Sequence, residues 1–378
     1  MIRKRFRKIK KKSGPFRFTY IFLAFALLIG AIFALAPKKT FSESENRSLA
    51  AFPNPNAASV LDGSWETGVN SWYADHFPFR DSWMSLQLGF RALAGEKESG
   101  GVILGDDGWL FLSPDRGADS SDKTEAMERF AALYPDIRHY ALIACDSRAV
   151  NSRYLPAGYP DVSQTDQLDL IAGALRSVKT VDVTEALRSA PGQVFYRTDH
   201  HWTGLGAYTA FGVLAPAMGI KAPDAEPQIL TVSRSFEGTL ASKSGRHGVT
   251  EQIDVYLPSQ CPAYRVEYPD GSVAGSVFVP EKLDTRDQYA VYFGGNWSTV
   301  SITTAAGTGR RLLVFKDSYA NSLVPLLIPY FDRIVMIDPR YCYDDLQLIM
   351  NQEDFTDALF LYNLDTFLSD RSLASIIP

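Results

Sequence analysis

An acid, two imidazoles and an indole lie within eight residues in the stretch YRTDHHWT, residues 196–203. If this stretch begins as the end of a strand, Asp199 and His201 project to the same face, because side chains two apart on a strand share a side, while His200 points away. A carboxylate beside an imidazole orients the ring and balances its charge, as a general base requires. The spacing therefore predicts an acid–base pair of Asp199 and His201.

A nucleophile for this pair appears more than a hundred residues later in the chain. Residues 311–322 read RLLVFKDSYANS, an apolar run followed by a polar turn that carries Ser318. The run predicts a buried strand, and the segment after the turn is compatible with a helix. A strand-to-helix turn exposes a hydroxyl and presents backbone N–H groups that can bind an oxyanion. We therefore expect the hydroxyl of Ser318 to be the partner of the acid–base pair.

These motifs resemble those of the bacterial DHHW family, which is similar to the SGNH-hydrolase-like domains of alginate O-acetylation proteins. Further matching motifs are SENRSLAAFP (44–53), DHFPFRD (75–81), DGWLF (107–111), YFGGN (292–296), KDSYAN (316–321) and IDPRY (337–341). The resemblance implies a three-layer α/β fold and a triad of Ser318, His201 and Asp199 that acts on O-acyl groups of an extracytoplasmic polysaccharide. It also implies a multi-span membrane acyltransferase as the partner that supplies the acyl group.

The order of these residues departs from that of ordinary SGNH hydrolases, in which the serine comes first and the Asp/His pair last. Here the pair precedes the serine, and the resemblance to the alginate group covers this order. Triads are defined by geometry, and unrelated chain orders support the same chemistry. We therefore expect a rearranged sheet that still brings the three residues together.

Three alternatives remain for the chemistry of these motifs. Ser147 also follows an apolar run and an aspartate, so it is a second candidate nucleophile, although the residues after it make a poorer helix start. Adjacent histidines can instead form part of a metal site or a hydrogen-bonded structural corner. A zinc site needs three or four ligands at recognisable spacing, and the remaining histidines are scattered: His76, His139 and His247. We expect no metal and no other cofactor.

Four more residues are candidates for the oxyanion hole or the substrate site. Gly295 precedes Asn296, so the backbone can approach a substrate closely and an amide N–H can join the oxyanion hole, although a plain Gly-Gly-Asn turn fits equally well. Arg340 can bind substrate or brace its own loop. The indole of Trp202 can pack against the helix that follows it or serve as a platform for a sugar ring.

The N-terminal residues carry a membrane-targeting pattern. Residues 1–17 hold nine Lys or Arg and no acid, and residues 18–36 are nineteen residues without a charge. About twenty apolar residues cross a bilayer, and the cationic flank stays in the cytoplasm by the positive-inside rule. We predict a cytoplasmic basic arm, a transmembrane anchor and a domain outside the cytoplasm. The alternative is cleavage after Ala34-Leu35-Ala36, which would leave a secreted protein.

The predicted exported part is acidic. Without the basic arm the remainder has 29 basic and 43 acidic residues, a formal charge of −14. Such a chain lacks the basic footprint of a nucleic-acid-binding protein and favours a neutral or cationic glycan over a strongly anionic polymer. Cys145, Cys261 and Cys342 allow at most one internal disulfide, so the fold must depend on its hydrophobic core.

The order of predicted elements indicates the domain plan. A polar stretch at 37–62 is typical of a stalk, and residues 63–378 are long enough for one large domain. Apolar runs between residues 312 and 362 alternate with helical segments, which predicts a parallel sheet covered on both faces. Residues 222–301 alternate in polarity and contain a Pro-Asp-Gly-Ser turn, which predicts an antiparallel β insert.

Three functions are compatible with these features. A protein that forms an acyl-serine is an O-acetyltransferase if a sugar hydroxyl receives the acyl group, and an esterase if water does. The resemblance favours transfer. A non-catalytic polysaccharide-binding or assembly protein could keep the same fold as a scaffold, with tryptophans lining a glycan groove: Trp65, Trp72, Trp83, Trp109, Trp202 and Trp297.

Overall fold

The computed structural model describes residues 16–42, 47–114, 119–160, 163–221 and 225–377. The chain divides into two compact units, one up to Gln87 and one from Leu88 onward. The sequence pattern placed the start of the domain at residue 63, which is earlier than this division. The expected domain boundaries stay a prediction. Most of the expected cytoplasmic arm and the first residues of the SENRSLAAFP motif lie outside the described residues.

The first unit begins with a long apolar helix, α1 (Phe16–Leu35). Within it, Arg17–Leu35 has a mean hydropathy of 2.5 and is the one helix in the described ranges that is long and apolar enough to cross a membrane. About twenty residues of helix span the hydrocarbon core of a bilayer. This helix lies within two residues of the predicted anchor at 18–36, and it fits a single-pass anchor or a signal sequence.

Regular structure also occurs within the stretch that was expected to be a stalk. Strands β1 (Phe41–Ser42) and β2 (Arg47–Ser48) pair antiparallel, and helix α2 (Ala57–Leu61) follows. The helix starts at Asn56, because the Asn56 side chain accepts a hydrogen bond from Ser59 N while the Ser59 hydroxyl accepts one from Asn56 N. Two longer helices come next: α3 (Ser64–Asp75) and α4 (Arg80–Leu93).

The second unit contains the other sheets and the remaining α-helices. Its strands are β3 (Glu98–Ser99), β4 (Val102–Leu104), β5 (Leu110–Leu112), β6 (Arg138–Ala144), β7 (Lys179–Thr180), β8 (Gln228–Phe236), β9 (Glu251–Leu257), β10 (Tyr264–Glu267), β11 (Val273–Ala274), β12 (Thr299–Thr304), β13 (Arg311–Lys316), β14 (Arg333–Ile337) and β15 (Asp357–Asn363). Its helices are α5 (Ser121–Leu133), α6 (Ser147–Asn151), α7 (Gln164–Ala174), α8 (Thr184–Ser189), α9 (Gly204–Ala217), α10 (Thr239–Ser244), α11 (Ala320–Leu327), α12 (Leu346–Gln352), α13 (Leu364–Ser369) and α14 (Ser372–Ile376).

The central sheet has eight strands in the order β11-β10-β12-β14-β13-β15-β6-β7. The pairings from β14 to β7 are parallel, whereas β11, β10 and β12 add antiparallel strands beside β14. The expectation of a parallel sheet with an antiparallel insert is therefore confirmed, and strands of the insert extend the sheet itself. The predicted Pro-Asp-Gly-Ser turn does join two antiparallel strands, β10 and β11.

Both faces of this sheet are covered, which confirms the predicted three-layer α/β fold. Along β13, Leu312 and Val314 pack into one hydrophobic cluster with α9 and α11, whereas Leu313 and Phe315 pack into another with α5, α7 and α13. Alternate side chains of a strand point to opposite faces, so a strand that is apolar throughout needs a helical layer on each side. Burying each such side chain stabilises the fold by about 1.5–3 kcal/mol.

The three cysteines are free thiols, so the hydrophobic layers and not a disulfide hold the second unit together. Cys145 and Cys342 are buried, whereas Cys261 is exposed. Burial raises the pKa of the Cys145 thiol to about 12. This thiol is therefore protonated and unreactive at neutral pH.

Helix α9 fits closely against the chain segment that leads into the DHHW motif. The Thr203 side chain caps the helix by accepting a hydrogen bond from Gly206 N at 3.2 Å. A Cβ atom on Gly206 would lie 2.2 Å from the carbonyl oxygen of Val194 and 2.9 Å from Cβ of Trp202. The absence of a side chain at Gly206 thus lets the helix start directly beside the motif.

Replacing Gly206 with alanine should therefore destabilise the fold. The new methyl group must push either the Val194 backbone or Trp202 aside, and overpacking of this kind costs about 1–3 kcal/mol. Gly212→Ala is the matched control in the same helix, because its Cβ would meet no atom within 4 Å and alanine is the better helix former by about 1 kcal/mol. Thermal melting of the full-length variants measures both effects, and a Gly206→Ala protein as stable as the Gly212→Ala protein would contradict this packing.

Candidate active site

The DHHW motif forms a tight loop and not the end of a strand. Phe195 and Trp202 pair in an isolated antiparallel bridge, so the chain reverses direction between them. The Asp199 carboxylate accepts a hydrogen bond from the backbone N–H of His201 at 3.0 Å. An aspartate that binds the N–H two residues ahead curls the chain into a turn. The expected strand geometry is therefore wrong, although Asp199 and His201 still meet.

The acid and the imidazole are in direct contact. His201 Nδ1 lies 2.5 Å from Asp199 Oδ1, and Thr239 donates to Asp199 Oδ2 through its backbone N–H at 2.7 Å and its hydroxyl at 2.9 Å. Burial alone would raise the pKa of Asp199, but the neighbouring His201 and His200 and these hydrogen bonds outweigh it and hold that pKa below its usual range. Asp199 is therefore ionised and fixes His201 as the tautomer with the proton on Nδ1.

Ser318 completes a continuous hydrogen-bonded chain. It lies in the turn between β13 and α11, and its Oγ is 2.7 Å from His201 Nε2. The buried Asp317 shapes this turn, because its carboxylate accepts hydrogen bonds from the backbone N–H groups of Tyr319 at 2.9 Å and Asn363 at 2.8 Å. The structure thus brings together Ser318, His201 and Asp199, the three residues that the motifs singled out.

Two residues of this site were not anticipated from the sequence. Tyr289 stacks on the ring of His201, with ring centroids 3.8 Å apart and an interplanar angle of 12°, and its hydroxyl donates to Ser322 Oγ at 3.0 Å. Thr239 supplies two of the hydrogen bonds to Asp199. The Gly-Thr pair before a short apolar segment is a weak helix-start signal for Thr239, whereas Tyr289 lies in an irregular segment without a periodic pattern.

The Lys316 ammonium fixes the side chain of Asn296. The Asn296 carbonyl oxygen accepts hydrogen bonds from Lys316 Nζ and from Asn321 Nδ2, each at 3.1 Å. Burial lowers the pKa of Lys316, while Asp338, whose carboxylate lies 3.4 Å from Nζ, opposes that shift. Because the Asn296 oxygen is engaged by two donors, its amide nitrogen is the group that remains for a ligand. Its role in an oxyanion hole stays a prediction.

Three other expected site residues have structural contacts. The backbone N–H of Gly295 donates to the carbonyl oxygen of Tyr292 at 3.2 Å, so it closes a turn and is not an oxyanion donor. The indole of Trp202 is fully buried and donates to Ser322 Oγ at 2.8 Å, which excludes the sugar-platform alternative and leaves the packing role. The Arg340 guanidinium donates two hydrogen bonds to Asp338, at 2.8 and 2.7 Å, and so braces its own loop.

Ser147, the second candidate nucleophile, is placed differently. It is buried, and its Oγ accepts a hydrogen bond from Asn151 Nδ2 at 3.1 Å. The aspartate before it, Asp146, caps α6 and binds the Arg148 guanidinium at 2.6 Å. The Asp-Ser pair at this strand end therefore serves helix capping and a buried ion pair, whereas Ser318 contacts an imidazole.

The metal alternative has a weaker structural basis. Asp199, His200 and His201 are close enough to share an ion among the residues that the structure describes. Both carboxylate oxygens of Asp199, however, already accept two hydrogen bonds each. The three other histidines are engaged elsewhere: His76 with the carbonyl oxygens of Trp72 and Lys39, His139 with that of Tyr134, and His247 with Glu237. The donor set fits a charge-balanced imidazole better than a metal site.

The chain is similar to known proteins over part of its length. Residues 102–284 match the family described as SGNH hydrolase-like domain, acetyltransferase AlgX. The chain is also 29% identical over 198 residues to the probable alginate O-acetylase AlgJ of Pseudomonas syringae pv. tomato, which corresponds to 48% of this chain and 50% of that protein. The chain thus spans about half the length of the curated relatives it matches. The family match includes Asp199 and His201, and Ser318 lies beyond it.

Two solved structures share the fold over most of their length. A DHHW family protein from Eubacterium siraeum has a TM-score of 0.63 at 24% identity and covers 73% of this chain and 95% of its own. Bacillus cereus PatB1 has a TM-score of 0.61 at 19% identity and covers 73% of this chain and 100% of its own. The fold and the family match together define an SGNH hydrolase-like α/β protein. Within that class the chain resembles the DHHW family and the alginate O-acetylation proteins, which confirms the resemblance expected from the motifs.

The position of Asp199 depends on a glycine. A Cβ atom on Gly238 would lie 2.2 Å from Cβ and 2.6 Å from Oδ2 of Asp199, so Gly238→Ala should displace the carboxylate and release His201. We expect the rate at which a fluorophosphonate labels Ser318 to fall by roughly 10²-fold, the order of loss that a displacement of about 1 Å can cause.

The control for this variant is Gly275→Ala, whose Cβ would meet no atom within 4 Å, and its labelling rate should equal that of the wild type. Circular dichroism and melting temperature show whether each variant is folded. A folded Gly238→Ala protein that is labelled at the wild-type rate would contradict the dependence of His201 on the Asp199 carboxylate.

Proposed function

We propose that the protein transfers an acyl group, with acetyl as the expected group, to hydroxyls of a cell-envelope or secreted polysaccharide through an acyl-serine at Ser318. The observation that carries this proposal is the chain of contacts from Asp199 to His201 at 2.5 Å and from His201 to Ser318 at 2.7 Å. The curated relatives support it, since their name is probable alginate O-acetylase. The polymer and the acyl group of this chain remain part of the proposal.

Acylation is the first step of the proposed reaction. His201 Nε2 takes the proton of Ser318 Oγ as the oxygen attacks the acyl carbonyl, and Asp199 holds the imidazole in the required tautomer and stabilises its positive charge. Two donors are available for the developing oxyanion. They are the amide nitrogen of Asn296 and the backbone N–H of Ser318, which has no hydrogen-bond partner among the described residues. His201 then protonates the leaving group.

Deacylation is the second step and decides between transfer and hydrolysis. His201 takes a proton from the acceptor, whose oxygen attacks the acyl carbon, and the bond to Ser318 Oγ breaks as that oxygen recovers the proton. A sugar hydroxyl as acceptor makes the protein an O-acetyltransferase, and water makes it an esterase. The partial exposure of Ser318 lets either acceptor reach the acyl group, so the esterase is the second candidate function.

The N-terminal helix supports a proposal for the location of the protein. We propose that α1 anchors the protein in the membrane with the basic arm in the cytoplasm and the second unit outside it. Cleavage of the helix would give the same domain in secreted form. An extracytoplasmic site has no direct access to cytoplasmic acyl donors, so the proposal includes a multi-span membrane acyltransferase as the partner that delivers the acyl group.

The decisive experiment is covalent trapping at Ser318. Full-length protein in detergent is treated with a fluorophosphonate and, separately, with p-nitrophenyl acetate, and the modified residue is located by mass spectrometry. One similar structure, that of Bacillus cereus PatB1, holds a sulfonyl adduct, so a sulfonyl fluoride is a suitable third reagent. Ser318→Ala and His201→Ala should lower turnover by roughly 10³-fold or more.

Ser147→Ala is the matched control, because Ser147 also follows an aspartate at the end of a strand, and it should keep full activity. Loss of labelling in Ser147→Ala with labelling retained in Ser318→Ala would reverse the assignment of the nucleophile. If no reagent labels the folded wild-type protein, the scaffold is a non-catalytic binder. The amount of acetate released is then compared with the amount of acetyl group transferred to an added oligosaccharide. Release indicates an esterase, and transfer indicates a transferase.

A further inference from the structure

His200, the first histidine of the pair, has no role in the reaction described so far. Asp199 and His201 are almost fully buried, with side chains 1% and 6% exposed, whereas the side chain of His200 is 25% exposed. The rings of His200 and His201 are neighbours, with centroids 3.9 Å apart. The partly exposed imidazole of His200 therefore lies directly beside the imidazole of His201, which contacts Ser318.

The hydrogen bonds around Thr239 determine where the proton of His200 is. The ionised Asp199 can only accept hydrogen bonds, so the Thr239 hydroxyl, 2.9 Å away, donates its single proton to the carboxylate. The same hydroxyl oxygen lies 2.9 Å from His200 Nδ1 and has no second proton to give. His200 Nδ1 must therefore carry a proton and donate it to Thr239.

The second ring nitrogen of His200 is consequently a hydrogen-bond acceptor. Burial and the neighbouring His201 lower the pKa of His200 to about 3, so the ring is neutral at physiological pH and a proton on Nδ1 leaves Nε2 with a lone pair. Within the part of the chain that the structure describes, Nε2 bonds to no protein group and is not among the buried unpartnered atoms. It is therefore at least partly accessible to solvent.

The backbone of His200 is also held in place beside the nucleophile. Its carbonyl oxygen accepts a hydrogen bond from the hydroxyl of Tyr319, the residue that follows Ser318. The ring is held at Nδ1 by Thr239. A fixed acceptor with a defined tautomer is preorganised for a hydroxyl ligand, because little conformational freedom is lost when the hydroxyl binds.

We propose that His200 Nε2 forms a binding subsite for a sugar hydroxyl that is vicinal to the hydroxyl being acylated. This inference rests on the proposed function and deepens it. The reacting hydroxyl gives its proton to His201, attacks the acyl carbon and displaces Ser318 Oγ, while the neighbouring hydroxyl keeps its proton and donates a hydrogen bond to His200. Water has no second hydroxyl, so this contact favours transfer to a sugar over hydrolysis.

Two variants of His200 distinguish the roles of its two ring nitrogens. His200→Asn keeps an amide donor near the position of Nδ1 and removes the acceptor at Nε2, whereas the longer His200→Gln can place its carbonyl oxygen near the position of Nε2. The test uses full-length protein with p-nitrophenyl acetate as donor. The acceptors are trans-1,2-cyclohexanediol, which carries vicinal hydroxyls on a ring, and cyclohexanol, which carries one.

For the wild type we expect transfer to the diol to exceed transfer to cyclohexanol. His200→Asn should lower the ratio of the two transfer rates by about tenfold, the equivalent of one lost hydrogen bond, and His200→Gln should retain most of it. The burst of p-nitrophenol that reports acetyl-Ser318 formation should stay within about twofold of the wild type in both variants. If His200 had a purely structural role, its variants would change the burst of p-nitrophenol and leave the ratio of transfer to the diol and to cyclohexanol unaltered.

The results separate the failure of this inference from that of the proposed function. A normal burst in His200→Asn with an unchanged ratio of transfer to diol and cyclohexanol would overturn the His200 subsite and leave the acyl-serine intact. A wild type that forms acetyl-Ser318 but transfers equally to both alcohols would also overturn the subsite. A wild type without a burst would overturn the acyl-serine mechanism itself.

Discussion

The buried carboxylate of Asp199 is the group on which the site depends. It accepts four hydrogen bonds, two from His201 and two from Thr239, and it thereby joins the DHHW loop to the start of α10. A buried charge is tolerated only when its hydrogen-bonding capacity is used. The same bonds that satisfy Asp199 orient His201 toward Ser318 and determine the tautomer of His200. The hydrogen bonds that hold the loop are therefore the same ones that position His201.

The carboxyl end of the central sheet supplies the other half of the site. Asp317 and Lys316 are both buried where β13 ends, and each is hydrogen-bonded to neighbouring segments, Asp317 to Asn363 at the end of β15 and Lys316 to Asn296. Buried polar networks contribute little net stability, because desolvation offsets the attraction. Their effect here is positional, since they hold the turn that carries Ser318 in one conformation before any substrate binds.

Several features of the site and fold were predictable because they leave local patterns in the sequence. Asp199, His201 and Ser318 stood out by residue type and spacing, and the apolar runs between residues 312 and 362 coincide with β13, β14 and β15. The apolar N-terminal helix followed from its length and lack of charge. Non-local contacts override such patterns elsewhere. The segment at Asp199 was expected to be the end of a strand and is a loop, and the joining of the antiparallel insert to the main sheet left no signal in the sequence.

The sequence by itself determined which chemistry is possible, because a serine, an imidazole and a carboxylate in polar turns after apolar segments are recognisable without a structure. It also determined the alternation of elements that builds a sheet with two covered faces. Only the tertiary structure decided that Ser318 meets His201 across 117 positions of chain, and that Tyr289 and Thr239 support the site. The physical reason is that contacts between distant segments depend on packing and strand order, which leave no periodic signal in either segment.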